Sequence, residues 1–160
     1  MNRPEFWIPL LLLLLAPAAA DQPTASIYDE NADAHRDVAA AITKAQAAQR
    51  NVVLVFGANW CGDCRALDAQ MRKPELAAII EKNFVVVEVN LGRFDKNLDV
   101  AEQYHVPIKQ GIPALAVLNS RGALLYAMDQ GQFADARHMS YESIKAFFEQ
   151  WKPRQSASAR

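Results

Sequence analysis

The chain has 160 residues and a formal net charge of −1, from 17 lysines and arginines and 18 aspartates and glutamates. A charge this close to neutral, with no basic stripe and no acidic block, argues against a nucleic-acid-binding protein and against a solvating tail. The 2 cysteines are too few for a fold held together by disulfides, so we expect the pair to serve chemistry.

Residues 1–20 have the pattern of a secretory signal peptide. A short start with one basic side chain, Arg3, precedes the apolar stretch WIPLLLLLLA and a run of small residues. Ala18 and Ala20 occupy the small positions of a cleavage site, which predicts cleavage after Ala20. The alternative is an uncleaved membrane anchor, but the apolar stretch is shorter than the roughly 20 residues that span a bilayer. Export is therefore the prediction.

The rest of the chain divides into one domain, residues 21–152, and a polar tail, residues 153–160, which we expect to be disordered. The first predicted helix is Ala-rich and extends from Asn31 to about Gln49, with Asp29 or Asn31 as its cap. The other predicted elements are a strand at 51–57, helical segments at 62–71 and 74–82, a strand at 84–90, a short helix at 97–104, strands at 112–119 and 123–128, and a last helix capped by Ser140. This order predicts an α/β fold with a mixed central sheet and helices on both faces.

Both cysteines lie in the segment LVFGANWCGDCR, directly after the first predicted strand. The strand ends near Gly57 and the next helix begins at or just after Cys61, among the free N–H groups and the positive dipole end of that helix. These groups stabilise a thiolate and lower its pKa, which makes Cys61 the attacking sulfur. Cys64 lies one turn deeper, where a partner reaches it less easily, so we expect it to resolve the mixed disulfide.

A Cys-x-x-Cys pair has other uses, and some of them stay open. Haem attachment needs a histidine after the second cysteine, where this chain has Arg65. A zinc site needs four ligands, and the chain offers two sulfurs and three scattered histidines. Copper(I) can be held by two thiolates, so a copper(I) metallochaperone remains an alternative, as does a redox-inert binding module. The favoured interpretation is a redox pair that needs no metal.

The motif NWCGDCR after a strand, with GIPAL further along the chain, resembles the thioredoxin family. In that family a W-C-x-x-C-K/R motif faces a cis-proline within a G-I-P-T-L segment. The resemblance extends from about Val52 to Trp151 and implies a thioredoxin fold, here with an extra N-terminal helix, and thiol–disulfide exchange without a cofactor. The text from Cys64 to Asn90 also resembles the periplasmic branch that includes the C-terminal domain of DsbD and small disulfide isomerase-like proteins.

The resemblance implies a substrate-binding surface beside Cys61, formed by Trp60 and by the segment Gly111, Ile112 and Pro113. A cis bond before Pro113 lets the backbone of Ile112 pair with a substrate strand, and a trans proline at a strand start is the alternative. Trp60 is expected to cover the cysteines, with a packing role as its alternative. An isoleucine before the proline resembles reducing thioredoxins, whereas dedicated oxidases and isomerases more often have Val or Thr there.

One departure from the family concerns a buried acid. Thioredoxins usually have an aspartate six residues before the first cysteine, where this chain has Val55. On the next strand, Glu88 takes the place of the family's lysine and shares a strand face with Phe84 and Val86. We expect an apolar layer to raise the pKa of Glu88, which suits a general base for Cys64. The alternative is that Glu88 lies at a strand end and reaches solvent or an arginine.

A second departure is the dipeptide Gly62–Asp63 between the cysteines, which together with Arg65 is predicted to tune the redox chemistry. A carboxylate close to Cys61 opposes a thiolate there, and a less stabilised thiolate makes a less oxidising disulfide. We expect Arg65 to offset part of this effect by pairing with Asp63. Alternatively, Asp63 only fills the first turn of the helix, where acids are favoured. The effect of Asp63 on the disulfide favours reduction or isomerisation of substrate disulfides over their oxidation.

We therefore expect a monomeric periplasmic thiol–disulfide oxidoreductase that reduces or isomerises disulfides in protein substrates. Isomerisation is the near alternative to reduction, although the chain lacks the separate dimerisation domain of the dedicated bacterial isomerases. A membrane thiol donor similar to DsbD is expected to re-reduce it. The segment 129–140 has no thioredoxin counterpart of the same length and borders the groove around the cysteines in this fold. Its side chains Gln132, Phe133, Arg137 and His138 are candidates for substrate choice, or parts of a longer surface connection.

Overall fold

A four-stranded mixed sheet forms the centre of the structure, a computed structural model that describes residues 26–154. The strands are β1 (Asn51–Gly57), β2 (Phe84–Asn90), β3 (Ala114–Leu118) and β4 (Leu124–Ala127), in the order β2-β1-β3-β4. The pairing of β1 is parallel with β2 and antiparallel with β3, and β3 pairs antiparallel with β4. The predicted signal peptide and the end of the predicted tail, residues 155–160, lie outside the described residues.

Helices pack onto this sheet. In chain order they are α1 (Ala34–Ala48), α2 (Gly62–Met71), α3 (Pro74–Asn83), α4 (Leu98–Gln103) and α5 (Tyr141–Trp151), with a 3-10 turn at Ile108–Gln110 before β3. Every residue of β1 and β3 is buried, as expected for central strands that read as continuous apolar runs. This architecture confirms the predicted α/β fold with a mixed sheet and an N-terminal helix. Between residues 26 and 154, no helix is both long and apolar enough to cross a membrane.

The start of α1 differs from the prediction. Asp33 is the cap, and its carboxylate accepts a hydrogen bond from the backbone N–H of Arg36 at 3.1 Å. Asp29 instead accepts from the backbone N–H of Asn31 at 2.8 Å, within a turn that precedes the helix. Aspartate and asparagine are equally suited to turns and to helix caps, so the sequence pattern does not distinguish the turn residue Asp29 from the cap residue Asp33. Ser140 caps α5 as predicted.

The sheet brings two distant segments together at one end. The parallel register of β1 and β2 continues past the strand ends, where the N–H of Leu91 donates to the carbonyl of Gly57 at 2.8 Å. On the other side of β1, Phe56 is paired with Ala114 in the antiparallel register. The residues that follow Phe56 therefore lie beside the residues that precede Ala114. The loop with the two cysteines and the Gly-Ile-Pro segment meet at this end of the sheet.

Candidate active site

A disulfide joins Cys61 to Cys64 at the start of α2, with the two Cα atoms 5.2 Å apart. Cys61 is the N-cap residue of the helix, and its Sγ accepts a hydrogen bond from the backbone N–H of Cys64 at 3.1 Å. The sulfur of Cys61 thus lies where free N–H groups and the helix dipole stabilise a thiolate once the bond is reduced. This is the placement that the sequence predicts.

The two cysteines differ slightly in exposure. Both are buried, with Cys61 4% exposed and Cys64 1% exposed. A disulfide approaching from solvent is therefore expected to meet Cys61 first. The order of exposure supports the predicted division into an attacking and a resolving sulfur.

The Gly-Ile-Pro segment lies against Cys61. The carbonyl oxygen of Ile112 is 3.5 Å from the Sγ of Cys61, and the peptide bond between Ile112 and Pro113 is cis. Gly111 has a φ of 123°, and a Cβ at this position would overlap the side chain of Ala134. Both the backbone conformation and the close approach therefore require glycine.

Trp60 is held by the loop that follows β2. Its Nε1 donates a hydrogen bond to the carbonyl of Gly92 at 2.7 Å, and its ring packs against Phe94 with the centroids 6.0 Å apart. Both rings remain accessible, with Trp60 48% exposed and Phe94 40% exposed. They form an aromatic surface next to Cys61. That Trp60 covers the cysteines during the reaction stays a prediction.

Asp63 is paired with Arg137, so the predicted pair with Arg65 is wrong. The Oδ1 of Asp63 accepts a hydrogen bond from the backbone N–H of Arg137 at 3.0 Å and another from its Nε at 3.1 Å. Arg65 instead donates from Nη1 to the carbonyl of Asn59 at 2.7 Å. The physical reason is that residues two apart on a helix point in different directions. Asp63 is buried and Arg65 is exposed.

The environment of Asp63 changes what its charge does at the site. Hydrogen bonds from Arg137, the backbone N–H first, keep the pKa of Asp63 below its usual value despite desolvation. The carboxylate is therefore ionised at neutral pH, with a cation beside it. The same guanidinium lies over Gly62, where a Cβ would be 3.6 Å from one of its nitrogens. The negative charge that was expected to oppose a thiolate at Cys61 is thus largely balanced.

Glu88 does not lie in an apolar layer, contrary to the prediction. It is an exposed residue on β2, which forms an edge of the sheet, and its register partner on β1 is Val55. An edge strand has a neighbour on one side only, so its side chains reach solvent more easily. Protein atoms around the carboxyl of Glu88 still desolvate it enough to raise its pKa, and nearby Asp68 raises the pKa further. A hydrogen bond from the backbone N–H of Glu88 and the charge of Arg72 act in the opposite direction.

Two further residues, Tyr28 and Asn59, complete the site, and neither has a role predicted from the sequence. Tyr28, in the segment before α1, is 1% exposed. A methyl group on Gly57 would overlap the Tyr28 hydroxyl and would lie 2.8 Å from the Sγ of Cys64, so hydroxyl and sulfur are near neighbours. Asn59 holds the backbone of Tyr28 through hydrogen bonds in both directions. Asn59 is the first residue of the motif NWCGDCR, but its bond to a segment so far away has no local pattern, and Tyr28 belongs to no motif.

The described residues contain no group of three or more histidine, cysteine, aspartate or glutamate side chains able to hold a metal ion. The redox chemistry of a Cys-x-x-Cys pair needs no cofactor beyond the two sulfurs, because the disulfide itself accepts and returns the electrons.

Comparisons with known proteins agree with this site. A family model described as thioredoxin-like matches residues 33–120. A solved structure of a disulphide isomerase from Xylella fastidiosa Temecula1 is 44% identical, with a TM-score of 0.76, covering 79% of this chain and 96% of that one. The chain belongs to the thioredoxin-like family. Curated proteins provide no match.

More distant structures share the fold alone. The oxidised C-terminal domain of DsbD from Neisseria meningitidis is 21% identical, with a TM-score of 0.56, covering 76% of this chain and 97% of that domain. A thioredoxin from Thermus thermophilus is 20% identical, with a TM-score of 0.53, covering 70% of this chain and 81% of that one. The predicted thioredoxin fold is confirmed. With the Cys61–Cys64 pair in place, the protein is a thiol–disulfide oxidoreductase.

Proposed function

We propose that the protein is exported to the periplasm and there reduces or isomerises disulfides in protein substrates. The observation that carries this proposal is the difference between the two cysteines: Cys61 is the N-cap of α2 and is 4% exposed, whereas Cys64 lies inside the helix and is 1% exposed. The direction of the reaction is supported by the 44% identity to a protein named a disulphide isomerase. Ile112 before the proline resembles reducing thioredoxins and supports reduction in particular.

The reaction follows from the positions of the sulfurs. The Cys61 thiolate attacks a substrate disulfide, forms a mixed disulfide and displaces one substrate sulfur as a thiolate. Cys64 then loses its proton and attacks the Sγ of Cys61, and the second substrate sulfur leaves with the electron pair. The substrate has gained two electrons, and the internal disulfide is restored. In isomerisation, a thiolate of the substrate itself attacks the mixed disulfide and releases Cys61.

Substrate binding is assigned to the surface around Cys61. The backbone at Gly111, Ile112 and Pro113 is proposed to lie along an extended substrate segment, as main-chain pairing with a strand requires. Trp60 is proposed to contact the substrate from the other side of Cys61. A membrane thiol donor similar to DsbD is proposed to return the disulfide to the dithiol, and the protein is proposed to act as a monomer.

The reduction potential of the Cys61–Cys64 couple tests the direction of the reaction. Equilibration with glutathione is expected to give a value well below the roughly −120 mV of the strongest oxidant of this kind and closer to the roughly −270 mV of thioredoxin. Reduction of insulin and reactivation of scrambled ribonuclease then separate the two activities, because isomerisation survives loss of Cys64 and reduction does not. A potential near −120 mV would overturn the proposal.

Glu88 is proposed to accept the proton of Cys64. Replacing Glu88 by glutamine is expected to slow release of the mixed disulfide by about tenfold, less than the roughly 10²–10⁴-fold typical of a general base, because water also reaches this exposed position. Attack by Cys61 is expected to keep its rate. Single-turnover kinetics measure the two steps separately, and Glu81→Gln on α3 is the matched control. Equal release rates in the Glu88 variant and the control would exclude the role.

Export is tested on the full chain. We expect fractionation of cells that express it to find the protein in the periplasm, and the mature N-terminus to be Asp21. A cytoplasmic protein that retains Met1 would contradict the location while leaving the redox chemistry untouched.

A further inference from the structure

Tyr28 brings a hydroxyl group to the inner sulfur of the disulfide. The side chain is 1% exposed and comes from outside the sheet and helices, from the segment that precedes α1. Gly57, at the end of β1, allows this approach because it has no Cβ. A Cβ at this position would overlap the Tyr28 hydroxyl oxygen and would lie 2.8 Å from the Sγ of Cys64, so any larger residue would collide with both.

The position of Tyr28 is fixed by the active-site loop. Its backbone N–H donates to the Oδ1 of Asn59 at 3.0 Å, and the Nδ2 of Asn59 donates to its carbonyl at 2.8 Å. Asn59 precedes Trp60 and Cys61 in the chain, and its own carbonyl accepts the hydrogen bond from Arg65. The backbone of Tyr28 is therefore bound to the loop that contains the attacking sulfur, and this loop sets the distance between Tyr28 and the cysteines.

The ionisable groups around the Tyr28 hydroxyl keep it protonated. Burial raises the pKa of Tyr28 well above its usual value, and the carboxylates of Glu88 on β2 and Asp68 on α2 raise it further. Arg72, the C-cap residue of α2, is a cation near those carboxylates, and its Nε donates a hydrogen bond to Asp68 at 2.7 Å. A phenol that stays protonated has an O–H to donate, and a thiolate is a strong acceptor for it.

We propose that the Tyr28 hydroxyl donates a hydrogen bond to the Cys64 thiolate while the mixed disulfide is being released. The proton of Cys64 passes to a base, the electron pair of Cys64 forms the bond to the Sγ of Cys61, and the substrate sulfur leaves with its own electron pair and then takes up a proton. Tyr28 neither gains nor loses a proton in this step. The inference rests on the proposed order of attack by Cys61 and release by Cys64.

The test measures the thiol of Cys64 directly. In a Cys61→Ser background, Cys64 is the only thiol of the chain, and NMR of isotope-labelled cysteine follows its titration without interference from tyrosine. Adding Tyr28→Phe, which keeps the ring and removes the hydroxyl, is expected to raise the pKa of Cys64 by about one unit. In the otherwise native protein, the higher pKa leaves less of Cys64 as thiolate, which slows release. The remaining thiolate is also a stronger nucleophile, so the net effect of Tyr28→Phe is expected to be only about threefold.

Tyr104→Phe is the matched control, because Tyr104 is another buried tyrosine but lies at the C-terminal end of α4, beside α1. We expect this variant to leave the pKa of Cys64 unchanged. An unchanged pKa in Tyr28→Phe, or the same rise in both variants, would overturn the inference. Trapping of substrate on Cys61 does not depend on Tyr28, so its failure would count against the proposed function instead.

Discussion

Replacing Cys64 by serine is expected to stop the reaction at the mixed disulfide, with substrate held on Cys61. The first step needs only the sulfur of Cys61, whose thiolate is stabilised by the N-terminus of α2. The second step needs a sulfur at position 64, and a serine hydroxyl is not acidic enough to replace it. Turnover in insulin reduction is expected to fall by several orders of magnitude, and mass spectrometry under non-reducing conditions measures the accumulated adduct.

Cys61→Ser is the matched control for this prediction. It keeps Cys64 and makes the same sulfur-to-oxygen change at Cys61. It is expected to form no adduct, because Cys64 lies inside the helix, is only 1% exposed and lacks the N-cap position of Cys61. Adducts on Cys64 in place of Cys61 would reverse the assigned roles. Stoichiometric copper(I) binding by the reduced native pair would favour a metallochaperone, and an unchanged phenotype of Cys61→Ser in cells would favour a redox-inert binding module.

Replacing Arg137 by glutamine is expected to make the disulfide more reducing. The change removes the cation that balances Asp63 and leaves a carboxylate uncompensated close to Cys61. A less stable thiolate lowers the reduction potential. The side chain of Arg137 is 60% exposed, so solvent screens the effect, and we expect a shift on the order of 10–30 mV. Equilibration with glutathione measures it.

Asp63→Asn is expected to shift the potential in the opposite direction, since it leaves the guanidinium without its partner. The double variant is expected to lie near the native value, because both charges are gone. Low pH provides a further check, because the pKa of Asp63 is lower in the folded protein than its ordinary value of about 3.9. The ion pair between Asp63 and Arg137 therefore persists at pH values above about 3.9. It is lost as the pH falls through the lower pKa of the folded protein. Equal potentials in all variants would contradict a role for this pair.

Much of this fold was predictable because its elements depend on local patterns. The apolar runs of β1 and β3 predicted buried strands, and Pro74 at the first turn of α3 predicted a new helix after α2. The position of Cys61 at a helix start also followed from local sequence, because a strand and a helix adjoin it directly. These features need no knowledge of which segments touch in the folded chain.

The remaining parts of the site depend on contacts between segments far apart in the chain. Arg137 reaches Asp63 across 74 positions, and Tyr28 reaches Asn59 across 31, whereas the predicted partner Arg65 is near Asp63 in sequence only. The exposure of Glu88 depends on β2 being an edge strand, which strand composition does not determine. Charge pairs between distant segments and the order of strands in a sheet leave no periodic pattern in a single sequence.

We expect the paired rings of Trp60 and Phe94 to select substrates by their folding state, on the proposal that this exposed surface binds them. Native proteins rarely expose large contiguous apolar patches, whereas misfolded chains expose a great deal of apolar surface. A disulfide in a misfolded chain is expected to arrive with apolar side chains that bury against the two rings, and this binding gains free energy from the area removed from water. Native disulfides are then expected to be spared, although their sulfur chemistry is the same.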